Sequence, residues 1–327
     1  MSIRPSLLSC AAAAILALAI PSVASAQSWP ARPIRLLVGF APGGGTDIVA
    51  RTLAPKLSEL LGQQVVVENR AGASGTIAAD AVAKAAPDGY TLLAGHANSN
   101  AIAPHVFSRV PYDPIADFTP ITYVGYVPNV LVVHPGVAAR SVEELVALAN
   151  ARPGVLTYAS SGVGSTQHLA GELFTVLTGT KMTHIPYKGS GPAVVDLLAG
   201  QVNANFDTMP PVLEHVKAGK LRALAISTPQ RLPQLADVPT FEEKGIRGFD
   251  VTNWYSVMGP RNLPREIVAR VDEAVRRAMA DPEVRAKLDP QGVQFGGPQT
   301  PAAFAEFIRA ENAKYAKMVR DLNVKAD

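Results

Sequence analysis

The chain has 327 residues, of which 48% are hydrophobic, 17% charged and 6% aromatic. That apolar fraction supports a buried core and excludes wholesale disorder, and the length fits two domains or one large α/β domain. With 30 basic and 27 acidic residues the net charge is only +3, and there is no Lys/Arg run, which argues against a nucleic-acid partner.

The chain opens on an export signal. Arg4 supplies a positive start and residues 7–20 are apolar, a run too short for a comfortable membrane span. Pro21 breaks the run, and Ala24-Ser25-Ala26 is an A-x-A cleavage site, so residues 1–26 read as a cleaved signal peptide. A lipobox at Leu7-Leu8-Ser9-Cys10 is disfavoured because the apolar run follows the cysteine instead of preceding it. Cys10 is the one cysteine; its loss leaves neither a disulfide framework nor a thiolate metal site.

The mature chain alternates strands and helices. Residues 34–38 form an apolar strand, followed by a glycine turn and a helix over 47–61 that Pro55 should kink. A strand over 64–67, an alanine-rich helix over 76–86 and a strand over 91–94 follow. This β-α-β-α-β order predicts a parallel sheet with helices on its faces. The pattern restarts at a strand over 130–133, then a capping box at Ser141-Val142-Glu143-Glu144. Strands over 156–159, 182–185, 202–206 and 222–227 alternate with helices starting near Ser165 and at Pro192. Ile267, Val271, Ala274, Val275 and Ala278 make one helical stripe, and Phe304, Phe307, Ile308, Tyr315, Met318 and Val319 another. Both read as core faces returning to the first sheet. The expected organisation is residues 27–125 with 251–327 as one discontinuous domain and 126–250 as the second, with a cleft between them.

Ligands of open α/β sheets bind at the carboxyl ends of strands, so the loops there hold the information. Phe40-Ala41-Pro42-Gly43-Gly44-Gly45-Thr46-Asp47 brings glycines to a helix start, where orphan N–H groups and the dipole suit an anion. It reads equally as a turn without a ligand. The third glycine of G-x-G-x-x-G is missing and no P-loop exists, which disfavours a nucleotide. Ser160-Ser161-Gly162-Val163-Gly164-Ser165-Thr166-Gln167-His168 repeats the design, but Ser165 is not in G-x-S-x-G. His168 is read as packing or capping in preference to a general base. Tyr187-Lys188-Gly189 precedes another helix start; Lys188 is either an anion contact or a solvated charge. Ser74 and Asn98 sit in loops after the second and third strands, and Asp207 ends a later strand either to meet a ligand or to cap a helix. The six histidines lack metal spacing and no H-E-x-x-H or calcium loop occurs, so no metal is expected.

Together these motifs resemble the Bug family of periplasmic solute-binding proteins, the receptors of tripartite tricarboxylate transporters. The likeness runs over the mature chain. It is carried by Trp29-Pro30, the 40–47 loop, Gly62-Gln63-Gln64-Val65-Val66-Val67-Glu68-Asn69, Pro87-Asp88-Gly89-Tyr90 and Pro111-Tyr112-Asp113-Pro114. Its most specific part is Pro186-Tyr187-Lys188-Gly189 with Pro192-Ala193 and Asp196-Leu197-Leu198-Ala199-Gly200. The resemblance implies an α/β fold: a two-domain, type II (Venus flytrap) periplasmic binding protein, each domain a mostly parallel sheet flanked by helices. It implies a monomer without cofactor that holds a small carboxylate between the domains and passes it intact to membrane transporter subunits. Carried over, Phe40, Pro42, Gly43, Gly44 and Asp47 form the first clamp and Tyr187, Lys188 and Gly189 the opposing loop. Ser161, Gly164, Ser165 and His168 form the second-domain helix start, and Ser74, Asn98 and Asp207 face the ligand. His96-Ala97-Asn98-Ser99 departs from the Ser/Thr-rich form of its loop. A ligand-presenting co-receptor for a sensory kinase, or a periplasmic enzyme, are the alternatives.

Overall fold

The computed structural model describes residues 29–326; the signal peptide expected over 1–26, with Cys10, lies outside them. Strands β1 (Ile34–Val38), β2 (Val65–Asn69) and β3 (Thr91–His96) are parallel, in the order β2-β1-β3. Helices α1 (Gly45–Leu61) and α2 (Thr76–Ala83) connect them, and a π turn with the short α3 (Ala103–Val106) follows β3. The 16-residue β4 (Phe118–Val133) then crosses into the second half. There α4 (Val142–Ala151), β5 (Thr157–Ser160), α5 (Thr166–Thr178), β6 (Thr183–Pro186), α6 (Ser190–Leu198), β7 (Ala204–Thr208), α7 (Met209–Lys217) and β8 (Arg222–Ile226) alternate. Strand β9 (Thr252–Pro260) crosses back, and α8 (Arg265–Ala280), α9 (Pro282–Leu288) and α10 (Pro301–Asp321) close the chain on the first half.

Each half has the same strand pattern. In the first, β9 lies antiparallel between β3 and β4; in the second, β4 itself lies antiparallel between β7 and β8. Four of the eight strand pairs are antiparallel, so the mostly parallel sheet expected from sequence is a mixed one. The cause is topological: a strand entering a half from the other one arrives from the opposite end of the sheet.

Strand periodicity divides the core into layers. Ile34, Leu36 and Val38 of β1 point into one apolar cluster and Leu37 into another across the sheet. In β4, Leu131 and Val133 enter one cluster and Val130 and Val132 another. Each such fully buried aliphatic side chain contributes roughly 1.5–3 kcal/mol. The stripe from Ile267 to Ala278 is buried against α1 and β4 as its spacing predicts. On α10, Phe304, Ile308, Tyr315 and Val319 are buried, while Phe307 and Met318 are half-buried.

Three local expectations shift. Helix α1 runs unbroken through Pro55, which sits on its solvent face where water can serve the carbonyl left without a donor. Helix α2 stops at Ala83, three residues early, and α6 begins at Ser190, so Pro192 is its third residue and not its first.

Candidate functional site

Two helices begin on glycine, without a side-chain cap, and their starts lie side by side. Gly44 precedes α1 and Gly189 precedes α6. A Cβ on Gly44 would lie 3.5 Å from the Ser190 Cβ, and the Ala41 N–H donates to the Lys188 carbonyl at 3.0 Å. Gly189 has φ +139°, a conformation side chains resist, and it lets the two loops meet. At Gly191 an added Cβ would stand 2.1 Å from the Pro42 carbonyl oxygen, so this approach needs a bare backbone. The orphan N–H groups of α1 and α6 therefore converge on one place, with their positive dipole ends.

The other loops also cross between the halves. Ser165 caps α5, accepting from the His168 N–H at 3.2 Å, while His168 Nδ1 accepts from the Gly164 N–H at 3.1 Å. The Thr166 N–H donates to Asn98 Oδ1 at 3.0 Å, and the Ser74 hydroxyl donates to the Val163 carbonyl. A cavity of only ≈ 10 Å³, room for about one water, lies between these contacts. From the first half Gly44, Gly45 and Thr46 of the α1 start line it, with Phe40, His96, Asn253 and Tyr255. Ser161, Gln167, Ser190 and Thr208 line it from the second half.

The residues expected at the site divide into three sets. Phe40, Gly44 and Ser161 line the cavity; Phe40 and Ser161 also line an outer cleft with Ser74, Tyr187 and Lys188. Lys188 joins the halves through its carbonyl while its side chain is exposed, and the Tyr187 hydroxyl donates to Asp196. Pro42, Gly43, Gly164, Ser165, His168 and Gly189 shape the loops. Asp47, Asn98 and Asp207 support from behind. Asp47 accepts from the Gly43 N–H, Asn69 and Arg51 at 2.8–3.0 Å, holding the clamp loop in place. Asp207 is 0% exposed and accepts from Ser190, Gln167, Asn205 and the Thr208 N–H. Burial pushes its carboxyl above the ordinary range against the pull of those hydrogen bonds.

The sequence does not assign Gly45, Thr46, Gln167, Ser190, Thr208, Asn253 and Tyr255 to the site, and marks His96 only as part of a departing loop. Ser190 and Thr208 each follow a residue that it does assign, and helix-start hydroxyls were the available signal. Asn253 and Tyr255 lie on β9, whose alternation puts both on one face. Burial drives the imidazole of His96 down to about 3 and that of His168 to about 4, so both are neutral. No lysine, arginine or accessible carboxylate is among the lining residues. The site can hold an anion by neutral donors.

The chain is similar to known proteins along its length. The profile of the "Tripartite tricarboxylate transporter family receptor" matches residues 49–324. The protein BugT of Bordetella pertussis is 42% identical over 309 residues, 94% of each chain. A Rhodopseudomonas palustris protein solved with adipate is 38% identical with a TM-score of 0.87, over 91% of this chain and 99% of that one. MatC of the same species, solved with bound malate, is 33% identical with a TM-score of 0.85, over 89% and 100%.

Proposed function

This chain belongs to the tripartite tricarboxylate transporter receptor family, and from that premise we propose that it captures a small carboxylate in its cleft and delivers it unchanged to the membrane transporter. It is a periplasmic binding protein with the α/β fold of its relatives. Two lobes, residues 27–125 with 251–327 and residues 126–250, hinge where β4 and β9 cross. Residues 1–26 direct export and are removed. The chain acts as a monomer, and membrane transporter subunits recognise its closed form.

The observation that carries this reading is the convergence of the uncapped α1 and α6 starts on one cavity without cationic side chains. A hydrogen bond to a charged group contributes about 1.5–3 kcal/mol. Three or four such bonds approach the roughly 8 kcal/mol of micromolar binding. The backbone donors are already fixed, so little side-chain entropy is lost on binding. Closure satisfies the ligand from both lobes, so the ligand favours the closed state. The malate and adipate bound by relatives support a small carboxylate as the ligand.

A thermal-shift panel of malate, succinate, adipate, glutamate and benzoate tests it. A binder at 100 times its dissociation constant stabilises by about 2.7 kcal/mol, and mass spectrometry should recover it unaltered. A panel in which no acid raises the melting temperature, or one acid is consumed, counts against the reading.

A further inference from the structure

One wall of the cavity holds His96 beside the Asn253 Oδ1 and the Tyr255 hydroxyl, both unpartnered among the described residues; the other holds hydroxyls that are already bonded. His96 ends β3 with its ring 4.9 Å from Phe40 and 5.6 Å from Tyr255, and it is 3% exposed. Its Nδ1 accepts the Asn98 N–H at 3.0 Å, which puts the ring proton on Nε2. Among the described residues no group accepts a hydrogen bond from Nε2. This side therefore offers an uncharged N–H donor next to the free amides of α1.

On the opposite wall the hydroxyl protons are already engaged. Ser190 donates to Asp207 at 2.5 Å, Ser161 donates to Gln167 Oε1 at 2.7 Å, and Thr208 donates to Asp207 at 3.3 Å. A hydroxyl has one proton to give, so these oxygens have only lone pairs left for the cavity. The buried Asp207 fixes this sense without reaching a ligand itself.

We infer that the cleft selects carboxylates that carry a hydroxyl over bare and amino-substituted ones, with His96 as a specificity-determining residue. The inference rests on the cleft reading above and names its ligand class. The carboxylate takes the helix-start amides. The hydroxyl accepts from His96 Nε2 and donates to the oxygens tied to Asp207. A methylene does neither. An ammonium donates but accepts nothing, leaving the His96 N–H unpaired.

The test is calorimetric titration of the mature chain with matched sets: malate, succinate and aspartate; 2-hydroxyglutarate, glutarate and glutamate; lactate, propionate and alanine. In the set that fits, the hydroxy acid binds roughly tenfold or more tighter than its unsubstituted partner, the worth of one buried hydrogen bond. In His96→Asn the Oδ1 can still accept from Asn98 while the distal donor is withdrawn. That preference then collapses to about onefold. His96→Ser gives the same readout should the first variant fold poorly. Equal affinity of the wild type for the hydroxy acid and its bare or amino partner, in the set that fits, overturns the inference and leaves the cleft reading standing. A His96 variant that weakens both acids alike reduces the residue to a structural role and overturns it too. Binding of none of these acids, nor of adipate or benzoate, removes the cleft reading as well.

Discussion

At the scale of single residues, the site depends on where side chains are absent. Gly191→Ala places a methyl group against the Pro42 carbonyl, and that contact exists only when the halves meet. Gly191 has no positive φ, so the variant should fold normally, with its urea midpoint within about 0.5 kcal/mol of wild type. Its ligand affinity should fall about tenfold or more by calorimetry, as the closed state is penalised. Unchanged affinity would show that the loops need not touch. The glycine-rich loops were readable because glycine beside a helix start has few other uses. The roles within them were less so. Asp47 enters the clamp only through the family resemblance, and Asp207, at a strand end, reads as either a ligand contact or a helix cap; both bond inward, to backbone and hydroxyls. His96 could not be ranked from sequence, since its effect depends on the neighbour that fixes its tautomer.

At the scale of elements, the sequence pattern identified the strands that alternate with helices and missed the two that cross. Strand β4 was seen only from Val130 onward, because Pro120, Gly125 and Pro128 punctuate its first part like a loop. Register shifts after Pro120 and Tyr123 absorb these residues. Strand β9 holds buried Asn253, Trp254 and Tyr255 and lacks the apolar alternation of an ordinary strand. Caps were more legible. Ser141 accepts from the Glu144 N–H at 3.2 Å as its motif predicts, and Ser165 caps α5. Ser141→Ala and Ser165→Ala should each cost about 1 kcal/mol in urea unfolding. Only Ser165→Ala should also weaken ligand binding, because its helix start is bonded to Asn98 across the cleft. Equal binding by the two variants would show that this contact is not part of capture.

At the scale of the molecule, buried histidines set an acid limit. Burial holds His96 at about 3, His168 at about 4, and His184, stacked 3.8 Å from His168, at about 3. In the unfolded chain these imidazoles take up protons as pH falls below about 6.5. The unfolded state then binds more protons than the folded one, so this stability is complete above that pH and is lost toward pH 4. The loss should reach roughly 1–2 kcal/mol per histidine by pH 5. The buried carboxyls of Asp207 and Glu311, which are pushed up, act in the opposite sense at the acid end. His184→Gln should therefore flatten the dependence of the urea midpoint between pH 7.5 and 5; an unaltered slope would reject the assignment. The interleaving of the chain has a consequence for biogenesis. Strand β9 is the slat between β3 and β4, and it begins at Thr252. A nascent chain that emerges amino end first has β4 to β8 together while its earlier strands still wait for that slat. The later segment can finish maturing first, and no ligand can be gripped until the carboxyl-terminal quarter has arrived.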